Sequence, residues 1–416
     1  MLWIPCATAV LIQALLCFTV SQPETTIDSA SYMAQAESLA STGHALNVRG
    51  EPDTVRTPGY PLFLAAFLYT SLGYAGAILA QRILWVAVVF ATTRICFALT
   101  RSAIAAVVAG LITAIDVPAL QATNSILTET LAAALVSVTV WQIYRAHRSR
   151  RIADAVVAGV FAGATAWVRP VAILIGAPLA LAGMIAGARG FRVRAAAAVL
   201  AVSLIVSAVW IGRNYLQTGV ATFSSISNIN LLLFRAAGTL AIVDPGGIDA
   251  NFERRQAELS AVACAAAEAR FGRACDLLPI TLRATLYDDI AMPILLADPA
   301  ATASQAARAF VMIMFGGGAN LLSSVTGIAE STTRVIAFAY TVPLALLASL
   351  GMVYWWRRDR LAAMLMLLTI AYLVVMSLGA EAYSRFRVPF LPLYAMLAGG
   401  GAAALAERWI PDPKRQ

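Results

Sequence analysis

Residues 195–212 read AAAAVLAVSLIVSAVWIG, a run without a charged side chain that is entered through Arg189, Arg192 and Arg194 and left at Arg213. As a helix it rises about 27 Å, close to the ~30 Å hydrocarbon thickness of a bilayer. A helix satisfies its backbone hydrogen bonds internally, as lipid requires. Working outward, comparable runs lie at about 2–20, 74–97, 103–119, 126–144, 152–168, 170–187, 333–354, 361–379 and 388–405, which predicts about ten spans. The composition agrees: of 416 residues 60% are hydrophobic and 12% charged, with mean hydropathy +0.77. Soluble domains carry about 25% charged residues. A cytosolic enzyme, a secreted disulfide scaffold and a disordered chain are excluded; an all-α polytopic membrane protein remains.

The formal charge of +8 rests almost wholly on arginine, since 29 of the 30 basic residues are Arg. That charge sits in loops and gives no nucleic-acid signal. Arg145, Arg148, Arg150 and Arg151 form one basic loop; Arg189, Arg192 and Arg194 a second; Arg357, Arg358 and Arg360 a third; Lys414 and Arg415 end the tail. The positive-inside rule puts all four in the cytoplasm, with both termini inside. Residues 1–20 lack a charged start and read as an anchor rather than a cleaved signal peptide. Residues 21–73 and 213–332 are then exterior. The chain divides into an N-terminal transmembrane module (1–212), a small helical exterior domain (213–332) and C-terminal spans with a short tail (333–416). Phe310–Leu322, broken by Gly316, Gly317 and Gly318, reads as a re-entrant or interfacial piece.

Cys6, Cys17 and Cys96 lie in apolar runs and read as small core residues. Cys264 and Cys275 are the two cysteines of the large exterior segment, so either a disulfide or two free thiols fits there. With only His44 and His147 in the chain, a histidine-built metal site is not expected.

Polar chemistry gathers at the exterior edge. In TIDSASY (26–32) and beyond, Asp28, Ser31, Tyr32, Gln35 and Ser38 share one helical face, with Met33, Ala36 and Ala40 opposite. This predicts a juxtamembrane amphipathic helix whose polar face lines a cavity; equally, Asp28 fits as its N-cap. RTPGYP (56–61) forces a sharp re-entry with Arg56 at headgroup level. Glu129, Arg169, Arg213, and Glu381 with Tyr383, Arg385 and Arg387 add charge at outer span ends. Arginine there runs against the positive-inside rule in several separate places. An anionic headgroup bound in an outward cavity accounts for all of them.

Asp28 with Tyr32 and Ala36, Arg56-Thr57-Pro58-Gly59-Tyr60-Pro61, Thr128-Glu129, Arg169-Pro170, Arg213-Asn214-Tyr215 and Ser384-Arg385-Phe386-Arg387-Val388-Pro389 occur in an order that resembles the GT-C glycosyltransferases. Within them it is more closely similar to the branch of protein O-mannosyltransferases and bacterial aminoarabinose or galacturonic acid transferases for lipid A, over about 1–230 and 380–400. The resemblance implies a GT-C bundle in the bacterial cytoplasmic membrane, its active site in the first exterior loop facing the periplasm. It implies a polyprenyl-phosphate sugar donor, an envelope acceptor (glycolipid, polysaccharide or protein), contact with membrane lipids and inverting transfer. Asp28 would be the catalytic base and Glu129 its helper. Arg56, Tyr60, Arg169, Arg213, Tyr383, Arg385 and Arg387 would bind the donor phosphate and substrate. Aminoarabinose transferases carry Glu-Lys-Pro where this chain has Arg56-Thr57-Pro58, and that glutamate helps bind a metal; no metal or other cofactor is therefore expected here.

The chemistry suits the residues. A sugar leaving on a phosphate needs charge neutralisation, which guanidinium forks supply, and the attacking hydroxyl needs a carboxylate to take its proton. The rival class is a transporter or flippase of lipid-linked sugars. It too would want a cationic outer cavity, but the two long exterior segments and the lack of inverted repeats fit alternating access poorly. A noncatalytic subunit is the third reading.

Overall fold

The computed structural model describes residues 1–19 and 24–409. Among them the chain is helical, with only isolated bridges joining Glu24 to Ser125 and Leu46 to Pro52. Lys414 and Arg415, read above as a basic tail, lie outside the described residues.

Five helices are long and apolar enough to cross a membrane: Gly73–Thr100, Arg192–Thr218, Ile226–Val243, Glu330–Arg358 and Ser384–Glu407. Two bent pairs, Ala103–Ile115 with Val117–Asn124 and Pro299–Phe315 with Ala319–Thr326, make seven if each is one crossing. Other expected spans take shape as shorter apolar helices, among them Ile4–Phe18, Ile152–Val168 and Arg360–Met376.

One sequence reading is corrected. The run 103–119 is not one straight span: it bends by 52° at Asp116. Asp116 accepts a bond from Ala119 N at 3.2 Å and Pro118 follows, so the residue caps a second helix instead of continuing the first. Within 213–332, the stretch Ile226–Val243 is apolar enough to cross. Arg235 is its one charged residue, and a charged stretch with Asp244, Asp249, Glu253, Arg254, Arg255 and Glu258 follows it. At Phe310–Leu322 the helix does break, by 54°, where Gly317 and Gly318 take positive φ of 55° and 80°.

Ser384–Glu407 is the pillar of the bundle. Buried positions make up 83% of its apolar window, against 28–39% for the other four long helices. Its Gly399-Gly400-Gly401 run lets neighbours approach to backbone contact; a Cβ on Gly351 of the Glu330–Arg358 helix would collide with the Leu397 carbonyl. Lipid offers no hydrophobic drive between helices, so such close small-residue packing is what holds them together. The same pillar begins with the SRFRVPF segment, which delivers Arg385 to the outer end of the bundle.

Candidate active site

Asp28 lies in the first turn of the Ile27–Thr42 helix, whose N-cap is Thr26. The N-cap reading of Asp28 is thereby corrected: Thr26 N donates to Ser29 Oγ at 2.8 Å, and the Asp28 carboxylate is left for other partners. Ser29 Oγ donates in turn to the Ile126 carbonyl at 3.0 Å, and Glu24 exchanges backbone bonds with Asn124 and Ile126. This stitching fixes the start of the Asp28 helix beside the start of the Glu129–Ser149 helix.

Arg56 arrives from the other side. Asp53 Oδ1 accepts from the backbone N–H groups of Val55 and Arg56 at 2.7 and 3.2 Å, folding the loop back on itself. Gly59 then meets the Trp167 backbone so closely that a Cβ would lie 2.7 Å from the Trp167 carbonyl carbon. That approach seats RTPGYP on the end of the Ile152–Val168 helix, next to Arg169.

The result is a chain of alternating charge. Arg56 Nη2 donates to Asp28 Oδ1 at 2.8 Å, and Arg385 Nη2 donates to Asp28 Oδ2 at 2.7 Å. Arg385 Nε lies 3.8 Å from Glu129 Oε1, and Arg169 Nη1 lies 3.0 Å from the same oxygen while donating to Thr128 Oγ1 at 3.1 Å. Three guanidiniums thus meet two carboxylates. Arg56 also lies 4.6 Å over the Tyr32 ring and donates from Nε to Ser31 Oγ at 2.8 Å. Arg169 and Arg385 stand over Phe386 at 4.9 and 5.5 Å.

The cluster opens on a cavity of about 1200 Å³. A π-helical turn, Asn230–Ala236, brings Asn230 and Phe234 to the opposite wall, and Glu381 and Tyr383 complete it. Asp28 is the more accessible carboxylate, its side chain 30% exposed against 2% for Glu129. Burial pushes the Asp28 pKa up, but the two guanidiniums outweigh it and hold the carboxyl below the usual aspartate range. Burial instead raises Glu381, whose Oε2 has no hydrogen-bond partner.

Of the residues singled out from sequence, Asp28, Arg56, Glu129, Arg169, Tyr383 and Arg385 line this cavity. Three do not line it and are engaged elsewhere. Arg387 is fully buried, donating to Asp116 Oδ2 at 2.6 Å and to the Met314 carbonyl at 2.8 Å. Arg213 donates to the Asp53 and Ala45 carbonyls, bracing the loop that carries Arg56. Tyr60 is buried beneath Tyr32, its hydroxyl donating to Gln81 Oε1 at 2.7 Å. On the amphipathic helix Gln35 is buried as well, so its polar face meets water less than expected. Cys17 is exposed and not a core residue, its sulfur accepting from Arg82 Nη1 at 2.7 Å; Cys264 and Cys275 form a disulfide far along the chain.

Sequence reasoning missed Asp53 and undervalued Glu381. Asp53 had a signal, an Asx-type pattern two and three residues before the backbone groups it binds. Glu381 had only its place beside Arg385. Among the described residues no three of His, Cys, Asp and Glu come together as metal ligands.

No family model matches the sequence, and no curated protein matches it. Its structure resembles that of the Archaeoglobus fulgidus oligosaccharyltransferase tethered to an acceptor peptide containing the NVT sequon, with TM-score 0.53 and 12% identity. The match covers 98% of this chain and 50% of the other, so the chain spans about half the length of that transferase. ArnT from Cupriavidus metallidurans also aligns, in the apo state and bound to undecaprenyl phosphate. There the TM-scores are 0.43 and 0.44 and the identity 14%; 96% of this chain and 76–77% of the other are covered. The likeness to the oligosaccharyltransferase is one of fold: the chain shares the architecture of the matching part of that transferase.

Proposed function

We propose that this chain transfers a sugar from a polyprenyl-phosphate donor, with inversion, to an acceptor in the bacterial envelope. The observation that carries this reading is the clasp of Arg56 and Arg385 on Asp28 at a cavity wall, on a GT-C fold. Guanidinium forks bind phosphate oxygens bidentately and stay charged. Donor phosphate would sit on Arg56, Arg385 and Arg169, with Tyr383 beside it and Glu129 holding Arg169 and Arg385 in place.

The acceptor hydroxyl oxygen attacks the anomeric carbon, the carbon–oxygen bond to phosphate breaks, and its electron pair leaves on the phosphate. The acceptor's proton passes to Asp28. Two guanidiniums make Asp28 a weak base on its own. A phosphate that draws those forks to itself removes positive charge from beside the carboxylate and raises its proton affinity. Donor binding would then prime the base, limiting proton transfer in its absence.

The basic loops at 145–151, 189–194 and 357–360 would face the cytoplasm and the Asp28 cavity the periplasm, with the 213–332 segment outside and short apolar helices completing ten crossings. The decisive assay gives purified protein a polyprenyl-phosphate sugar and measures release of polyprenyl phosphate, with a nucleotide sugar as control. Turnover of the nucleotide sugar without lipid would defeat the proposal. The sugar lost from the host envelope on deletion would name donor and acceptor together.

A further inference from the structure

Arg148 lies about five turns along the Glu129–Ser149 helix from Glu129, roughly 28 Å away at 1.5 Å per residue. At that far end a second cavity, of about 1190 Å³, is lined by Arg148, Arg358 and Arg360. Arg148 and Arg360 lie over the rings of Tyr144 and Trp356, at 5.9 and 5.7 Å. Arg358 donates from Nε to the Leu99 carbonyl at 3.3 Å and lies 5.8 Å over the Tyr354 ring. None of the three forms an ion pair among the described residues. One carboxylate, Asp359, shares the cavity, and its oxygens are taken: Oδ1 accepts from Ala362 N at 3.1 Å and Oδ2 from the Tyr144 hydroxyl at 2.8 Å.

This basic cavity continues into an apolar slot. Tyr144 and Leu99 line both. The slot is a narrow one between the helices Gly73–Thr100, Glu129–Ser149, Arg360–Met376 and Leu391–Trp409, with walls such as Ile95, Val140, Trp141, Leu365 and Met366. Its three hydroxyls are engaged: Thr92 donates to the Val88 carbonyl at 2.8 Å, Ser137 to the Ala133 carbonyl at 2.7 Å and Tyr144 to Asp359 Oδ2 at 2.8 Å. The walls of the slot are therefore mostly apolar.

Three guanidiniums without anionic partners, opening directly on a hydrocarbon-lined slot, have the outline of an amphiphile with a negative head. We infer that this end of the bundle binds one anionic glycerophospholipid, its phosphate on Arg148, Arg358 and Arg360 and an acyl chain in the slot. A basic pocket between transmembrane helices recognises lipid phosphate through charge, and arginine does so with matched geometry. Free phosphate would fill only the basic half. A zwitterionic lipid would fill the slot but gain less from the three cations.

The test uses the full-length protein in a neutral detergent, given dioleoyl phosphatidylglycerol or dioleoyl phosphatidylcholine and observed by native mass spectrometry. One phosphatidylglycerol should be retained at a concentration at least tenfold lower than phosphatidylcholine. The triple variant R148Q/R358Q/R360Q should lose that preference, R148K/R358K/R360K should keep much of it, and A91W, which plugs the slot, should weaken both lipids. Ten millimolar inorganic phosphate should not displace the lipid. Equal retention of both lipids by the wild type overturns the inference whether or not any variant folds. So does an undiminished preference in a glutamine variant with normal melting temperature, unchanged binding in A91W, or displacement by phosphate, which would mark a free-anion site.

Discussion

Asp28→Asn tests the proposed mechanism most directly. Asparagine preserves size and one acceptor, so Arg56 Nη2 keeps a partner at the 2.8 Å position while an N–H group now faces Arg385 Nη2 across 2.7 Å. One charge-assisted bond is lost, at a cost of about 1 kcal/mol of folding stability given that these side chains are a sixth to a third exposed. The loss in catalysis should be larger. A general base contributes about 10²–10⁴-fold, equivalent to about 3–5 kcal/mol of activation free energy. Donor affinity should hold or improve, because two guanidiniums lose their internal competitor for phosphate. The assay is release of polyprenyl phosphate as a function of donor concentration, normalised to protein that elutes as a single folded species. The wild-type profile carries a further signature. A carboxyl whose folded pKa is depressed stabilises the fold above its unfolded value of ~3.9, and that stability disappears as pH falls through the folded value. The Asp28 contribution to the acid limb of kcat/KM should therefore lie below about pH 4. Turnover within threefold of wild type in a normally folded variant would remove Asp28 from the chemistry. A loss that merely tracks the unfolded fraction would reduce its role to holding the two arginines.

Arg387→Met should lower stability by about 3–5 kcal/mol by leaving Asp116 buried without its cation, while the donor KM of the folded fraction stays unchanged; a normally stable variant with raised KM would return Arg387 to the donor site. Replacing both Cys264 and Cys275 with alanine should cost about 3 kcal/mol, read as a fall in melting temperature that reductant reproduces in the wild type. Glu381→Gln should stabilise the protein at pH 7, since ionising a carboxyl with a raised folded pKa costs stability once pH exceeds its unfolded value of ~4.3. The gain should shrink toward zero near pH 4, and a difference in melting temperature that ignores pH would refute it. A reporter fused after Arg151 should read cytoplasmic and one inserted at Gly247 periplasmic, and the reverse result would place the Asp28 cavity on the wrong face.

Much of this fold is written in apolar run length, which is why the ends of most helices fall near the limits of the apolar runs. What run length cannot register is a break made by one residue inside an apolar run. Asp116 between Ile115 and Val117 was such a break, and its signal was the acid followed by Pro118, an N-cap pattern that hydropathy averages away. The converse holds for Ile226–Val243, a run apolar enough to cross that was absorbed into its polar neighbours.

The arginines were legible as a class and not as individuals. Composition and position mark Arg56, Arg169, Arg213, Arg385 and Arg387 alike, yet three reach the cavity and two are spent on the fold. For the last pair the reason is local. Ser384–Phe390 is a 3₁₀ helix, and two residues along it turn the chain by about 240°. Arg385 and Arg387 must therefore point to different sides, one toward Asp28 and the other into the core against Asp116. The two arginines of S-R-F-R therefore do not share one site. The core arginine still serves the site indirectly: by locking SRFRVPF to the bend at Asp116, it fixes the register at which Arg385 meets Asp28. If that is its function, Arg387→Met in protein that still folds should loosen the Arg385–Asp28 contact and lower kcat with little change in KM, whereas loss of a phosphate ligand would raise KM.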